Sequence, residues 1–238
     1  MLLFFLRHGD PIYDPDSLTP LGQRQAEALG KRLAQFGLDK IYVSSSQRAI
    51  QTAQPTCEML KIQPEILDWC NEGHAWRELA CPDATGKTRW MFHQPDMIEQ
   101  MVSEDVRAMD MEWYRHPKFA GQDFGAGIER IRRETDQWLA RLGYRHDSRK
   151  RMYDSAGVNS QRVALFAHQG FGLAFLSCLL DIPYPQFTTH FDMGHTGMTV
   201  IHFPEQQGWV VPKILQLSND SHLYREGLPT CYQNLYRF

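Results

Sequence analysis

Two arginines and two histidines stand where buried strands of the sequence are predicted to end. Arg7 and His8 follow one apolar run, His168 follows a second, and Arg48 comes shortly after a third. Arginine holds a phosphate as a planar, permanently charged fork, and histidine has a pKa that lets it act as a nucleophile near neutral pH. Because phosphoryl transfer depends chiefly on positioning and charge neutralisation, these four side chains predict phosphoryl-transfer chemistry that needs no metal ion.

Strands and helices alternate along the part of the sequence that carries these residues. Continuous apolar runs predict buried strands at residues 2–6, 41–43, 162–167, 199–203 and 214–217. Apolar residues at helical spacing predict helices at residues 20–36, 48–60 and 173–180. This alternation predicts an α/β fold, a mainly parallel three-layer α/β/α sandwich whose ligands lie at the carboxyl ends of the strands.

The alternation is lost from about residue 68 to residue 160. That segment is rich in Trp, Met and His, and we interpret it as an inserted, largely helical cap on a single domain that spans residues 1–238. Within it, residues 128–142 have the apolar repeat of an amphipathic helix. The polar residues 145–160 predict an exposed, mobile loop.

Composition limits the partners and the compartment. The net charge of −3 comes from interspersed acidic and basic residues, so neither nucleic acid nor a membrane surface is expected as a partner. Five widely spaced cysteines without a C-x-x-C pair predict no disulfide framework and no zinc knuckle, which fits a reducing cytoplasm. The apolar residues 1–6 are too few for a signal segment. Nothing in the sequence predicts the oligomeric state.

Short motifs follow one another along the chain in a fixed order. They are Leu6-Arg7-His8-Gly9, Leu18-Thr19 to Gly22 with Gln25-Ala26, Ser44, Arg48 to Ala53, Ala167-His168-Gln169-Gly170, and Asn219 to Leu223. An R-H-G tripeptide alone is a weak signal, but joined to R-A-x-x-T-A and a strand-terminal His it is a specific one. With these motifs the chain resembles the histidine phosphatase superfamily, in its phosphoglycerate-mutase-like branch, over almost its whole length except residues 68–160.

The resemblance implies a role for each matched residue. His8 would be the nucleophile that takes the phosphoryl group, Arg7 and Arg48 would bind its oxygens, and His168 would complete the phosphate pocket. The implied activity is hydrolysis of a small phosphate monoester through a phosphohistidine on His8, without a cofactor. We therefore expect an enzyme, a phosphoric monoester hydrolase.

Five further residues are assigned to the substrate-binding part of the site. Asp14 stands where the family often has an asparagine after R-H-G, and Gln169 replaces a frequent glycine. Ser44 ends a predicted strand. His195 and Thr196 come just before another strand, where they either border the phosphate pocket or form a plain turn.

The general acid is the position at which the sequence departs most from the family. Aligned on the family's usual glutamate, the position falls on Trp69, which cannot donate a proton. Asp68 and Glu72 flank it, and Trp69-Cys70-Asn71-Glu72 matches the W-x-x-E form of other relatives. We assign the role to Glu72, whose pKa neighbouring tryptophans could raise, with Asp68 as the alternative.

The remaining histidines and the aromatic residues of the cap could suggest a metal site or a substrate cage. His190, His195 and His202 match no metal-ligand spacing, so no metal site is predicted. Aromatic residues of the cap are expected to pack in its core rather than to form a substrate cage; they are Trp76, Trp90, Phe92, Trp113 and Tyr114.

Two other functions are compatible with the motifs. A phosphoglycerate-type mutase must hold a small, doubly anionic substrate, which requires concentrated basic residues in the cap. The cap's cations are instead spread among acids and aromatics, which favours a phosphatase; they are Lys87, Arg89, Arg107, Arg115 and Lys118. A non-catalytic phosphate-binding protein should have lost His8, Arg7, Arg48 or His168, and none is missing.

Overall fold

The chain forms an alternating series of strands and helices, and the computed structural model describes residues 1–232 with the backbone of residues 236 and 237. The strands are β1 Leu2–Arg7, β2 Pro11–Tyr13, β3 Asp16–Leu18, β4 Lys40–Ser44, β5 Glu65–Leu67, β6 Ala80–Pro82, β7 Thr88–Trp90, β8 Tyr144–Asp147, β9 Met152–Ser155, β10 Arg162–Ala167, β11 Met198–His202, β12 Gly208–Val210, β13 Lys213–Asn219, β14 Cys231–Tyr232 and β15 Tyr236–Arg237. The α-helices are α1 Pro20–Phe36, α2 Gln47–Leu60, α3 Glu72–Leu79, α4 Pro95–Val102, α5 Glu104–Ala108, α6 Phe124–Arg141, α7 Gln169–Leu180, α8 Tyr184–His190 and α9 Ser221–Arg225. Short 3-10 helices occur at Asp68–Cys70, Met91–His93, Asp110–Arg115 and Pro117–Phe119.

A six-stranded sheet with the order β13-β11-β1-β10-β4-β5 forms the centre of the fold. The strands β1, β10, β4 and β5 are parallel, whereas β11 and β13 run antiparallel to them. Leu6 of β1 is in register with Phe166 of β10, which is in register with Val43 of β4. Three parallel strands therefore end at the same level, and the side chains that follow them meet at one edge of the sheet.

Helices cover both faces of this sheet, because residues of the central strands are apolar on both sides. On one face, Phe4 of β1 packs in a cluster with Leu33 of α1 and other residues of α1 and α2. On the other face, Phe5 packs with Trp138 of α6 and Phe175 of α7. This arrangement confirms the predicted α/β sandwich and its mainly parallel sheet.

The segment predicted as a cap is largely helical and contains α3 to α6 with the β6–β7 hairpin. Its last helix belongs to the sandwich as well. Trp138 of α6 packs edge-on against Tyr42 of β4, with the ring centroids 5.3 Å apart. Trp113 of the same segment lies in one apolar cluster with Phe5 of β1. The limits of the cap, 68–160, stay a prediction, and α6 lies within them while covering the sheet.

The prediction of a mobile loop at residues 145–160 is wrong. Strands β8 and β9 form a hairpin that β12 extends to three strands. Tyr153 and Ser155 of β9 are buried. Charged residues suggested a solvated loop, but some of that charge is paired within the hairpin, as between Arg145 and Asp154 at 3.0 Å.

His146 of β8 carries buried charge in this hairpin. Its side chain is only 1% exposed and lies between two carboxylates: Nδ1 is 3.0 Å from Asp136 of α6, and Nε2 is 2.9 Å from Asp181 at the end of α7. Burial alone would lower the pKa of His146, but the hydrogen bonds and charges of both aspartates outweigh burial and raise the pKa to about 9. The imidazolium thus links two helices to the hairpin.

We predict that this link makes the protein less stable in alkali. The pKa of His146 is higher in the folded chain than the ordinary value of 6.5, so the stabilisation is complete below about pH 6.5 and is lost as the pH rises to about 9. The loss in free energy of unfolding should be roughly 3 kcal/mol. Urea unfolding between pH 6 and 9.5 measures it for the wild type, His146→Gln and the exposed control His190→Gln. A His146→Gln variant with the wild-type pH dependence would contradict the prediction.

Candidate active site

The carboxyl ends of β1, β10 and β4 surround a cavity of about 370 Å³. Its lining consists of Arg7, His8, Tyr13, Arg48, Glu72, Gly73, Trp76, Trp90 and Gln169. The parallel register places Arg7 at the end of β1, His8 directly after it, and His168 directly after β10. Arg48 comes from the first turn of α2, which follows β4. The structure therefore brings together the four residues singled out in the sequence.

His8 is held as a neutral imidazole with a defined tautomer. Its Nδ1 lies 2.7 Å from the carbonyl oxygen of Gly9, and because a carbonyl only accepts, Nδ1 must carry the proton. Burial, followed by the neighbouring His168 ring and the charges of Arg7 and Arg48, holds the pKa of His8 well below its usual value. The lone pair of Nε2 is consequently available near neutral pH.

Arg7 is positioned by residues that precede β11. Its Nη1 donates to the carbonyl oxygen of Met193 at 2.5 Å, and its Nη2 donates to Nε2 of the buried His195 at 3.0 Å. Nδ1 of His195 in turn faces Asp10 at 3.4 Å. The Nε atom of Arg7 is buried without a hydrogen-bond partner among residues 1–232. Donors of the guanidinium, the Nε–H among them, thus remain for a ligand.

His195 and Thr196 act on the site from behind. Neither lines the cavity; His195 holds Arg7, and the backbone N–H of Thr196 donates to the carbonyl oxygen of His8 at 3.2 Å. Thr196 has a φ of +54°, and its hydroxyl contacts Nε2 of the buried His222 at 3.0 Å. Of the two alternatives left open, bordering the pocket or a plain turn, the structure places them at a turn that supports the pocket.

Arg48 is oriented by the hairpin formed by β2 and β3. Its Nη1 donates to Oδ1 of Asp16 at 2.7 Å, and its guanidinium lies 5.4 Å from the ring of Tyr13. Oδ2 of Asp16 also accepts from the backbone N–H of Gln47 at 2.8 Å. Asp14, by contrast, is exposed in the turn of this hairpin and does not line the cavity. The carboxylate that pairs with Arg48 is thus Asp16, which belongs to none of the motifs identified in the sequence.

His168 is fixed by two serines, one at the end of β4 and one just before α2. Its Nε2 lies 2.7 Å from Oγ of Ser44 and 3.3 Å from Oγ of Ser46, the N-cap residue of α2. Ser44 contacts His168 and does not line the cavity. Burial and the two arginines hold the pKa of His168 well below its usual value. Within the described chain its Nδ1 has no hydrogen-bond partner.

Glu72 and Asp68 occupy different environments. Glu72 begins α3, lines the cavity and accepts from the backbone N–H groups of Gly170 and Phe171 at 2.9 and 3.1 Å. Burial raises the pKa of Glu72 against the opposing effect of these donors and of the arginines. Asp68 is exposed and bonded to Ser45 and His74, and these hydrogen bonds lower its pKa.

Two of the cap tryptophans face the cavity, so the expectation of core packing holds only in part. Trp76 and Trp90 line the cavity with their rings at 87° and their centroids 5.0 Å apart. Trp113 is buried and stacks on Tyr184 at 5.7 Å, as a core residue does. Gln169 also lines the cavity, and its amide donates to Asp192.

The loop after β1 is fixed by three residues of the family-like motifs. A side chain on Gly9 would meet the backbone of Gly22 in α1 at 2.7 Å, so the two glycines permit the close approach. The backbone N–H of Gly9 donates to Oγ1 of Thr52 at 3.0 Å, and the N–H of Asp10 donates to Oε1 of Gln25 at 2.8 Å. These contacts hold the backbone that directly follows His8.

The described residues contain neither a cluster of metal ligands nor a helix suited to a membrane. In the described part of the chain, no three His, Cys, Asp or Glu side chains converge as a metal-ligand set. His190 is exposed at the end of α8, and His202 lies on β11. Among these same residues, none of the helices combines the length and apolarity that crossing a bilayer requires.

Several solved structures share this fold. A mycobacterial glucosyl-3-phosphoglycerate phosphatase, solved with VO3, is 18% identical with a TM-score of 0.58; the alignment covers 91% of this chain and 98% of that one. A variant of phosphoserine phosphatase from Entamoeba histolytica, solved with phosphoserine, is 18% identical with a TM-score of 0.57, over 93% and 98% of the two chains. At these identities the likeness shows the fold. A comparison with curated protein sequences finds no match.

The sequence itself identifies the family. A family model described as "Histidine phosphatase superfamily (branch 1)" matches residues 3–215, a span that contains His8, His168 and both arginines of the cavity. The match confirms the resemblance predicted from the motifs and, with it, the predicted class of enzyme, a phosphatase. The chain belongs to branch 1 of the histidine phosphatase superfamily.

Proposed function

We propose that this protein is a metal-independent phosphatase that hydrolyses a small phosphate monoester in two steps, through a phosphohistidine on His8. The observation that carries the proposal is the state of His8. Its Nδ1 proton is directed to Gly9, and its lowered pKa leaves Nε2 unprotonated beside two arginines. A nucleophile and the charges that neutralise a phosphate are thereby present together.

In the first step, Nε2 of His8 attacks the phosphorus atom. The bond from phosphorus to the leaving oxygen breaks as the P–N bond forms, and the protonated carboxyl of Glu72 gives its proton to that oxygen. Arg7, Arg48 and His168 stabilise the negative charge on the three remaining oxygens. Because burial raises the pKa of Glu72, this carboxyl is suited to donating a proton.

In the second step, water attacks the phosphohistidine. The carboxylate of Glu72 now takes a proton from the water, the P–N bond breaks, and its electron pair returns to Nε2 of His8. Inorganic phosphate leaves the arginines, and both residues regain their starting states. The two arginines supply the positive charge that a metal ion would otherwise provide.

A mutase is the second candidate, and the cap cations argue against it. Arg89 is paired with Asp83 at 2.7 Å, and Lys118 with Asp105 at 3.2 Å. Among the described side chains, Arg7 and Arg48 are the only cations that line the cavity. A phosphoglycerate would need a further cation for its carboxylate. A non-catalytic phosphate-binding protein would show binding of phosphate without turnover.

The partner we propose is a small phosphorylated molecule, since a cavity of about 370 Å³ has the size typical of small-molecule sites. We propose that the protein lies in the cytoplasm, on the basis of the number and spacing of its cysteines alone.

We predict that His8→Ala abolishes turnover. The variant lacks the atom that forms the P–N bond, so phosphate release should fall by at least about a thousandfold. Rapid quenching with 32P-labelled substrate in excess chelator should trap an acid-labile, base-stable label on the wild type and none on the variant. His190→Ala serves as the matched control. Turnover by His8→Ala near the wild-type rate, or a wild-type reaction that requires a divalent ion, would refute the mechanism.

We predict that Glu72→Gln separates substrates by their leaving groups. An alkyl phosphate needs a proton on its leaving oxygen, so its hydrolysis should slow by about a hundredfold or more, whereas p-nitrophenyl phosphate should be largely spared. Glutamine keeps an oxygen that can accept from Gly170 or Phe171. Steady-state kcat/KM for both substrates measures the effect, with Asp68→Asn as the control. If Asp68→Asn shows the differential and Glu72→Gln does not, Asp68 is the acid.

A further inference from the structure

The cavity has two chemically different ends. The phosphate end consists of Arg7, His8 and Arg48, with Tyr13 beside Arg48, and the aromatic end consists of Trp76 and Trp90. If the phosphate end binds the phosphoryl group, as in the proposed function, the aromatic end lies where the rest of the substrate must be. The composition of the aromatic end therefore bears on the identity of the leaving group.

The aromatic end is a rigid corner formed by two indole rings. Trp90 stacks on the buried Phe92 at 5.4 Å with 18° between the ring planes. Its other neighbour is Gly170, where an added Cβ would come within 2.4 Å of the ring. Trp76 of α3 stands almost perpendicular to Trp90 and remains 37% exposed. Both indole rings line the cavity, so a flat ring bound at this end would contact aromatic surface.

The charges of the cavity match a single phosphate. The two guanidinium groups carry two positive charges, and Asp16 already offsets that of Arg48, so a single phosphate dianion is enough to neutralise what remains. No further cation lines the cavity among residues 1–232. A second anionic group on the substrate would lie close to Glu72 and against indole faces, whose quadrupole is negative. The aromatic end therefore disfavours carboxylates and second phosphates.

We propose that the substrate is the phosphate monoester of an uncharged alcohol that carries a flat ring, and that the corner of Trp76 and Trp90 binds this ring. The inference rests on the proposed function and adds the class of leaving group to it. Gln169 adds an uncharged polar group to the same cavity, which suits a ring with a polar substituent. Trp76 is a specificity-determining residue in this proposal.

The test compares two substrates that both release an alkyl alcohol. Because both leaving groups are alkyl alcohols, both substrates need the same proton transfer from the general acid. They differ in that benzyl phosphate carries a neutral flat ring and 3-phosphoglycerate carries a carboxylate. We expect kcat/KM of the wild type to be at least about tenfold higher for benzyl phosphate. Trp76→Ala should raise KM for benzyl phosphate by about tenfold, and Trp76→Phe should restore most of the loss. The inhibition constant of inorganic phosphate should be unchanged in both variants, because phosphate does not reach Trp76.

The outcomes separate this inference from the proposed function. Equal or better hydrolysis of 3-phosphoglycerate by the wild type would overturn the inference while leaving a phosphatase. So would a Trp76→Ala variant whose KM values and phosphate inhibition all change by the same factor, since that would indicate a general structural defect. Phosphate release that never exceeds that of His8→Ala, with p-nitrophenyl phosphate included, would overturn the proposed function itself.

Discussion

Two arginines and two histidines lie together in a buried pocket at the edge of one sheet. The arginines give this pocket a local excess of positive charge, and much of the surrounding structure compensates that charge. Removing a charged group from water costs several kcal/mol unless hydrogen bonds or opposite charges compensate. Asp16 compensates Arg48, and Met193 and His195 accept from Arg7. The histidines avoid the problem by remaining neutral. What compensation remains to be supplied is the charge of a phosphate.

The same demand explains why the loop after β1 is so firmly fixed. In the proposed mechanism His8 must reach phosphorus, so its ring cannot move far from its hydrogen bond to Gly9. Thr52 and Gln25 bind the two backbone N–H groups that follow His8, and Gly22 allows α1 to pack directly against the loop. The residues of the R-H-G and R-A-x-x-T-A motifs thus have separate roles. In the proposed mechanism Arg48 binds the ligand, whereas Thr52 binds the backbone of the loop.

The central sheet and the four main site residues could be predicted from the sequence because their signals are local. An uninterrupted apolar run predicts a doubly covered strand, and the residue that follows it lies at the sheet edge. Asp16 could not be predicted in this way, since its contact with Arg48 spans 32 positions and depends on a hairpin that brings it back. His146 was missed because a charged segment looks solvated whether or not its charges are paired. Trp76 and Trp90 were misjudged because burial in a core and exposure to a cavity both favour aromatic residues.

The packing around Gly170 makes one wall of the cavity less free to change in evolution than the other. Trp90 packs against this glycine, and Glu72 accepts a hydrogen bond from its backbone. A change of shape at Trp90 would therefore shift the helix terminus that orients the carboxyl, so substrate range and proton transfer would change together. Trp76 of α3 also contacts Trp90, but it is 37% exposed, so a change of its shape can be accommodated toward solvent. Lineages that diverge in substrate would be expected to vary at position 76 while keeping position 90, which makes one wall of the cavity adaptable and the other fixed.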